Sequence, residues 1–238
     1  MSIKLGVIAC LAIPCLAMSG CGKGDAPTSP DTASAAPLAS VSADPLAGAP
    51  VVLAFGDSLY AGYQLKPGES YPAKLQAALA ARGVRAKFVN AGVSGDTTAA
   101  GLERLAFTLD NQPVKPVLVM VGLGGNDMLR GLPPEQTRQN LTAILAELKK
   151  RHLPAMLTGM LAAPNMGADY VAKFNPIYPA LANTYHAPLV PFLLQPIFTH
   201  PELKLADGIH PNAAGVDRIV VATVDQVEKA LKAAEKGG

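Results

Sequence analysis

Val51-Val52-Leu53-Ala54-Phe55-Gly56-Asp57-Ser58-Leu59 is the stretch whose reading decides the fold. Five apolar residues make a run of strand length, which stops at a glycine followed by a polar turn. Similar runs recur at Val84–Val89, Val117–Val121, Ala155–Thr158 and Leu189–Phe192. Helical stretches fall between them. Tyr71–Arg82 has Pro72 in its first turn and Gly83 as a stop. Asp96 or Thr97 can cap a helix reaching Leu109. Pro134–Arg151 carries Leu141, Ile144, Leu145 and Leu148 on one face. Asp169–Tyr185 is read as one helix despite Pro176 and Pro179, and Asn212–Lys236 as a last long one. Such alternation predicts an α/β fold, a parallel five-stranded sheet with helices on both faces, whose active site lies beyond the carboxyl ends of the strands.

The ends of the chain carry different information. Lys4 is the one charge before an apolar stretch, Leu5 to Met18, which is short for a membrane span and contains Pro14. Met18-Ser19-Gly20-Cys21 resembles a bacterial lipobox, so residues 1–21 are expected to be a lipoprotein leader with Cys21 the lipidated residue. Gly22 in the next position favours the outer membrane by resemblance to Gram-negative sorting rules. The expectation is therefore an exported, periplasmic protein that meets the membrane through an N-terminal lipid anchor. Residues 22–50, rich in Ala, Pro and Ser, read as a disordered tether. Its reach is on the order of 30 Å. Residues 51–238 make one domain, expected to be a monomer. All three cysteines fall in the leader, so a mature chain beginning at Cys21 holds no disulfide. A formal charge of +2 without a basic run gives no sign of nucleic-acid binding.

Chemistry concentrates in Gly56-Asp57-Ser58-Leu59, Asn90-Ala91-Gly92, Gly124-Gly125-Asn126-Asp127 and Asp207-Gly208-Ile209-His210. Three follow predicted strands and the fourth precedes the last helix. Taken singly, Ser58 is a turn or capping serine, Gly92 a turn glycine and Asn126 an Asx-turn residue. Together they supply a hydroxyl nucleophile, a base and anion-stabilising donors. A serine needs a base. His210 is the best of the four histidines because Asp207, three residues earlier, can orient its ring. His152 reads as a solvated helix end, and His186 and His200 as loop residues without a usable carboxylate. The Gly92 backbone N–H and the Asn126 amide are candidate donors towards an oxyanion. Asp57 and Asp127 are assigned to loop hydrogen bonding. Gly-x-Ser-x-Gly is absent because Tyr60 takes its last position. No clustered histidine ligands suggest a metal, and no dinucleotide fingerprint is complete.

These blocks, with Tyr60-Ala61-Gly62-Tyr63, Ser94-Gly95-Asp96-Thr97, Leu129-Arg130-Gly131 and Pro211-Asn212, resemble the SGNH, or GDSL-type, hydrolases, and within them the bacterial thioesterase/arylesterase/lysophospholipase branch. The resemblance implies a flavodoxin-like three-layer sandwich. It implies Ser58 as nucleophile, His210 as acid/base, Asp207 as its carboxylate, and Ser58, Gly92 and Asn126 as oxyanion donors. It also implies hydrolysis of carboxylic esters and thioesters, lipid esters included, with no cofactor or metal. Members often carry a glutamate before Leu-Gly-Gly-Asn-Asp; here that residue is Gly122. Leu123, Met128, Leu161, Pro164 and Met166 are expected to form an apolar wall. A cell-envelope carbohydrate O-deacetylase and a non-catalytic lipid-binding lipoprotein stay open as alternatives.

Overall fold

The opening run becomes strand β1, Val51–Gly56, in a computed structural model that describes residues 46–237. The leader, Cys21 and most of the 22–50 segment lie outside the described residues. The last part of that segment belongs with the domain. Residues 46–48 form a turn, Ala49 is buried, and Arg85 Nη2 donates to Ala47 O at 3.0 Å.

After β1 come a single helical turn α1 (Ser58–Ala61), α2 (Tyr71–Ala81), β2 (Lys87–Gly92) and α3 (Thr98–Asp110). They are followed by β3 (Leu118–Gly122), α4 (Gly125–Leu129), α5 (Pro134–Lys150) and β4 (Ala155–Thr158). The chain ends with α6 (Ala168–Phe174), α7 (Ile177–Tyr185), β5 (Leu189–Val190) and α8 (Ala213–Gly237). All strand pairs are parallel, in the order β2-β1-β3-β4-β5, the flavodoxin-like order. Gly56 is in register with Gly92 on one side and Gly122 on the other, so three motif-bearing strand ends meet at one edge.

Successive residues of β1 point to opposite faces, and both faces are covered. Val52 and Ala54 join Leu118, Met120 and Met156 in a core closed by α2 and α8. Leu53 and Phe55 join Val119, Val121 and Leu157 under α3, α5 and α7. The expected face of α5 (Leu141, Ile144, Leu145, Leu148) lies fully in that second core.

Three boundaries differ from the sequence reading by more than a single residue. β2 starts at Lys87 because Gly83, at φ +75°, ends α2 and the Val84 N–H is used to cap it, donating to Leu79 O. β5 stops at Val190 because Pro191 has no N–H for the ladder. The helix expected over 169–185 is two helices, parted at Asn175-Pro176 where proline cannot continue the hydrogen-bond ladder. Asn175 uses the break, accepting from the Ala162 N–H at 2.8 Å.

Candidate active site

Ser58 opens α1 immediately after β1. Asp57 caps that turn, its Oδ1 accepting the Leu59 N–H at 3.0 Å. The hydroxyl is thereby presented at the sheet edge, with Ser58 only 8% exposed. His210 reaches it from a loop ahead of α8. There Gly208, at φ +70°, lets the chain reverse, and the Leu205 N–H donates to His210 O at 2.8 Å. Asn212 caps α8 by accepting from the Gly215 N–H at 2.9 Å. His210 Nε2 lies 2.8 Å from Ser58 Oγ, and His210 Nδ1 lies 2.7 Å from Asp207 Oδ2. With the ring proton on Nδ1 donated to Asp207, Nε2 is left to accept from the serine. Asp207 Oδ1 accepts the Ile209 and His210 N–H groups. Partial burial opposes ionisation of Asp207, but these hydrogen bonds outweigh it, and its carboxyl is held below the usual range. Tyr63 lies against the imidazole, ring centroids 4.5 Å apart.

Asn126 stands in α4, which is preceded by Gly124 at φ +110°. Its Nδ2 donates to Asp96 O at 2.9 Å, fixing the amide against the 93–96 turn. An amide carries two N–H bonds, so one remains for a ligand. Arg104 braces the same turn, bonding Asp96 Oδ2 at 2.6 Å and Gly56 O at 3.0 Å while stacking on Phe55. Asp127, next in α4, accepts from the Thr98 N–H, the Thr98 hydroxyl and the Thr137 hydroxyl, tying α3 and α5 to the loop.

Gly92 is placed differently from expectation. Its N–H is already donated to Asn90 Oδ1 at 2.9 Å, and a Cβ there would lie 2.4 Å from Ala61 N. This glycine lets α1 pack on β2. Gly95 differs in keeping its N–H unbonded among the described residues. It is in the turn closed by Asp96 N–H to Val93 O, with φ +88°, and its carbonyl is held by Arg130 Nη2. The sequence signal, Ser94-Gly95-Asp96-Thr97, was visible, but a glycine's duty depends on which neighbours reach its N–H.

The wall residues divide. Met128, Leu161 and Pro164 line an apolar groove of about 690 Å³ with Leu129, Met160 and Phe198. Leu123 is buried in the core beneath α3, and Met166 is not part of the lining. A small notch at Ser58, Asn126 and His210 opens into this groove, sharing Met128, Leu129, Met160, Leu194 and Ile209 with it. Of the remaining histidines, His200 does have a carboxylate, Glu202 Oε1 at 2.8 Å, but that pair is exposed and separate from Ser58. Among the described residues no cluster of His, Cys, Asp and Glu could hold a metal ion.

A family profile described as GDSL-like Lipase/Acylhydrolase matches residues 54–218. The chain belongs to that family. As a member it is a serine hydrolase of ester bonds. It is 39% identical over 166 residues, 70% of this chain and 77% of the relative, to a protein of Escherichia coli named thioesterase 1/protease 1/lysophospholipase L1. It is 38% identical to esterase TesA of Pseudomonas aeruginosa over 73% of this chain and 86% of that one. Among solved structures the hydrolase superposes on AlinE4, an SGNH-hydrolase family esterase, with a TM-score of 0.66 at 56% identity, covering 76% of this chain and 96% of the other.

Proposed function

We propose that this hydrolase cleaves carboxylic esters and thioesters of single-chain acyl groups through an acyl-enzyme on Ser58. The observation that carries the reading is the unbroken chain Ser58 Oγ to His210 Nε2, then His210 Nδ1 to Asp207, opening into an apolar groove. Ser58 Oγ attacks the carbonyl carbon while Nε2 takes its proton. The oxyanion that forms is held by the Ser58 N–H, the free Asn126 N–H and the Gly95 N–H. The leaving oxygen or sulfur receives the proton from Nε2, and a water repeats the sequence to release the acid. None of these steps uses a metal or cofactor.

An acetyl group would leave most of a groove of about 690 Å³ empty, so acyl chains longer than acetyl are favoured over O-deacetylation. The names of the relatives, thioesterase 1/protease 1/lysophospholipase L1 and esterase TesA, support the same substrate range. The site as placed is complete within one chain, which supports a monomer. Lipidation at Cys21, a 22–50 tether and a periplasmic, outer-membrane location are part of the proposal and rest on the leader sequence. No helix among the described residues is long and apolar enough to cross a membrane. A fluorophosphonate probe should label the wild type and not Ser58→Ala, and cleavage of aryl esters should rise as the acyl chain lengthens beyond acetyl. An unlabelled, inert wild type would remove the proposal. Palmitate incorporation that persists in Cys21→Ser would remove the anchor.

A further inference from the structure

The groove wall is uncharged except at one place. Of the residues that line it, Lys204 alone is ionic. Its main chain pairs with Pro211, next to the catalytic imidazole, and its side chain runs outward beside Phe198. Lys204 Nζ donates to Phe198 O at 2.9 Å and stands 5.6 Å from the centre of the Phe198 ring. An ammonium has three N–H bonds, so two stay free. Among the described residues no carboxylate pairs with it. Glu202, the acid nearest in sequence, is bonded to His200, and Asp207 is turned to His210. Phe198 itself is 52% exposed, as are Leu129 at 51% and Leu161 and Ile209 at 38%, so four large apolar side chains frame the same opening.

We infer that Lys204 is an anion subsite, a residue that selects, within the ester range proposed above, single-chain substrates bearing a phosphate or similar anion at one end over their uncharged counterparts. This rests on the esterase reading for its chemistry, but the subsite itself is defined by the groove and the ammonium. The chain lies along Met128, Met160, Leu194 and Phe198, and the anion takes the two free Nζ protons at the rim. A strongly hydrated point charge of this kind suits a phosphate, and its hydrogen bond to Phe198 O holds it at the groove. The bland role, a lysine that only ties the 198–204 loop through the Phe198 carbonyl, predicts no preference for charge.

Two measurements separate these. The first compares hydrolysis of a monoacylglycerol phosphate with that of the matched uncharged monoacylglycerol by wild type, Lys204→Met and Lys204→Arg. The kcat/KM ratio of charged to uncharged ester is expected to fall about 5- to 10-fold in Lys204→Met, mainly through KM, and to recover in Lys204→Arg. It should also fall with added salt in the wild type only. The second measures direct binding of dodecyl phosphate and dodecanol to Ser58→Ala with and without Lys204→Met. A phosphate preference that disappears with the lysine supports the subsite even if no ester is turned over, a case that would instead sink the esterase reading. Equal binding of dodecyl phosphate with and without Lys204, or a ratio that does not move, overturns the inference.

Discussion

Ser58 Oγ and His210 Nε2 stand 2.8 Å apart, within hydrogen-bond reach for the proposed proton transfer, and the imidazole is held from two sides. Asp207 fixes its edge and Tyr63 covers its face. Tyr63→Ala should therefore lower kcat roughly 2- to 10-fold while Tyr63→Phe keeps it, as expected for a ring contact; equal loss in both would assign the effect to the hydroxyl. Asn126→Ala should cost about 10²–10³ in kcat with little change in KM, because the amide meets charge only in the transition state. Steady-state kinetics on an aryl ester reads both. At this scale the meeting of Ser58, His210, Asp207 and Asn126 at one sheet edge was legible in sequence because each stands in a distinctive block beside a strand end or helix start. Gly92 and Gly95 were not separable, since what distinguishes them is the Asn90 side chain folded back onto one N–H. The His200–Glu202 pair was overlooked because a spacing of two residues depends on a local turn to become a contact.

Elements show the same division. Long periodic segments such as α5 were read within a residue or so, because burial of an apolar face dictates them. Errors gathered where a proline or cap overrode the pattern, at α6/α7, at β5 and at the start of β2. The one-turn helices α1 and α4, which carry Ser58 and Asn126, were read as loops because four or five residues show no period. Gly122 is explained by packing between elements. A Cβ there would lie 2.7 Å from the Tyr60 ring and 2.8 Å from Thr158 Oγ1, while the Tyr60 hydroxyl bonds that same oxygen at 2.9 Å. The tyrosine of α1 thus fills the space above β3 that a side chain at 122 would enter. Gly122→Ala should destabilise by about 1–3 kcal/mol. In a Tyr60→Leu background the same change should cost clearly less. Urea unfolding of the four proteins measures the coupling, and strict additivity would contradict this account.

For the whole molecule, Asp57 sets a pH dependence. Burial beneath the nucleophile, reinforced by Asp96 and Asp127 and only partly offset by the Leu59 N–H, pushes its carboxyl up to about 7. The folded state then holds a proton that the unfolded chain releases near its ordinary value of 3.8. Its contribution to stability is complete below that value and is lost as pH rises towards 7, on the order of 4 kcal/mol over the window. Asp57→Asn keeps an oxygen for Leu59 and cannot ionise. Between pH 5 and pH 8 the wild type should lose stability relative to Asp57→Asn, read from urea midpoints; parallel curves would place the proton elsewhere. Surface carboxylates such as Asp110, bonded to Arg151, act in the opposite sense, adding stability above their ordinary range and losing it on acidification.

The attacking hydroxyl and its base are 152 residues apart in sequence. The base comes just ahead of α8, which is seated on α2 by its buried face and by the Tyr71–Thr223 hydrogen bond. Translation delivers Ser58 well before His210. Every strand of the sheet precedes the base in the chain, so a nascent domain that has emerged only as far as β5 holds the serine without the imidazole beside it.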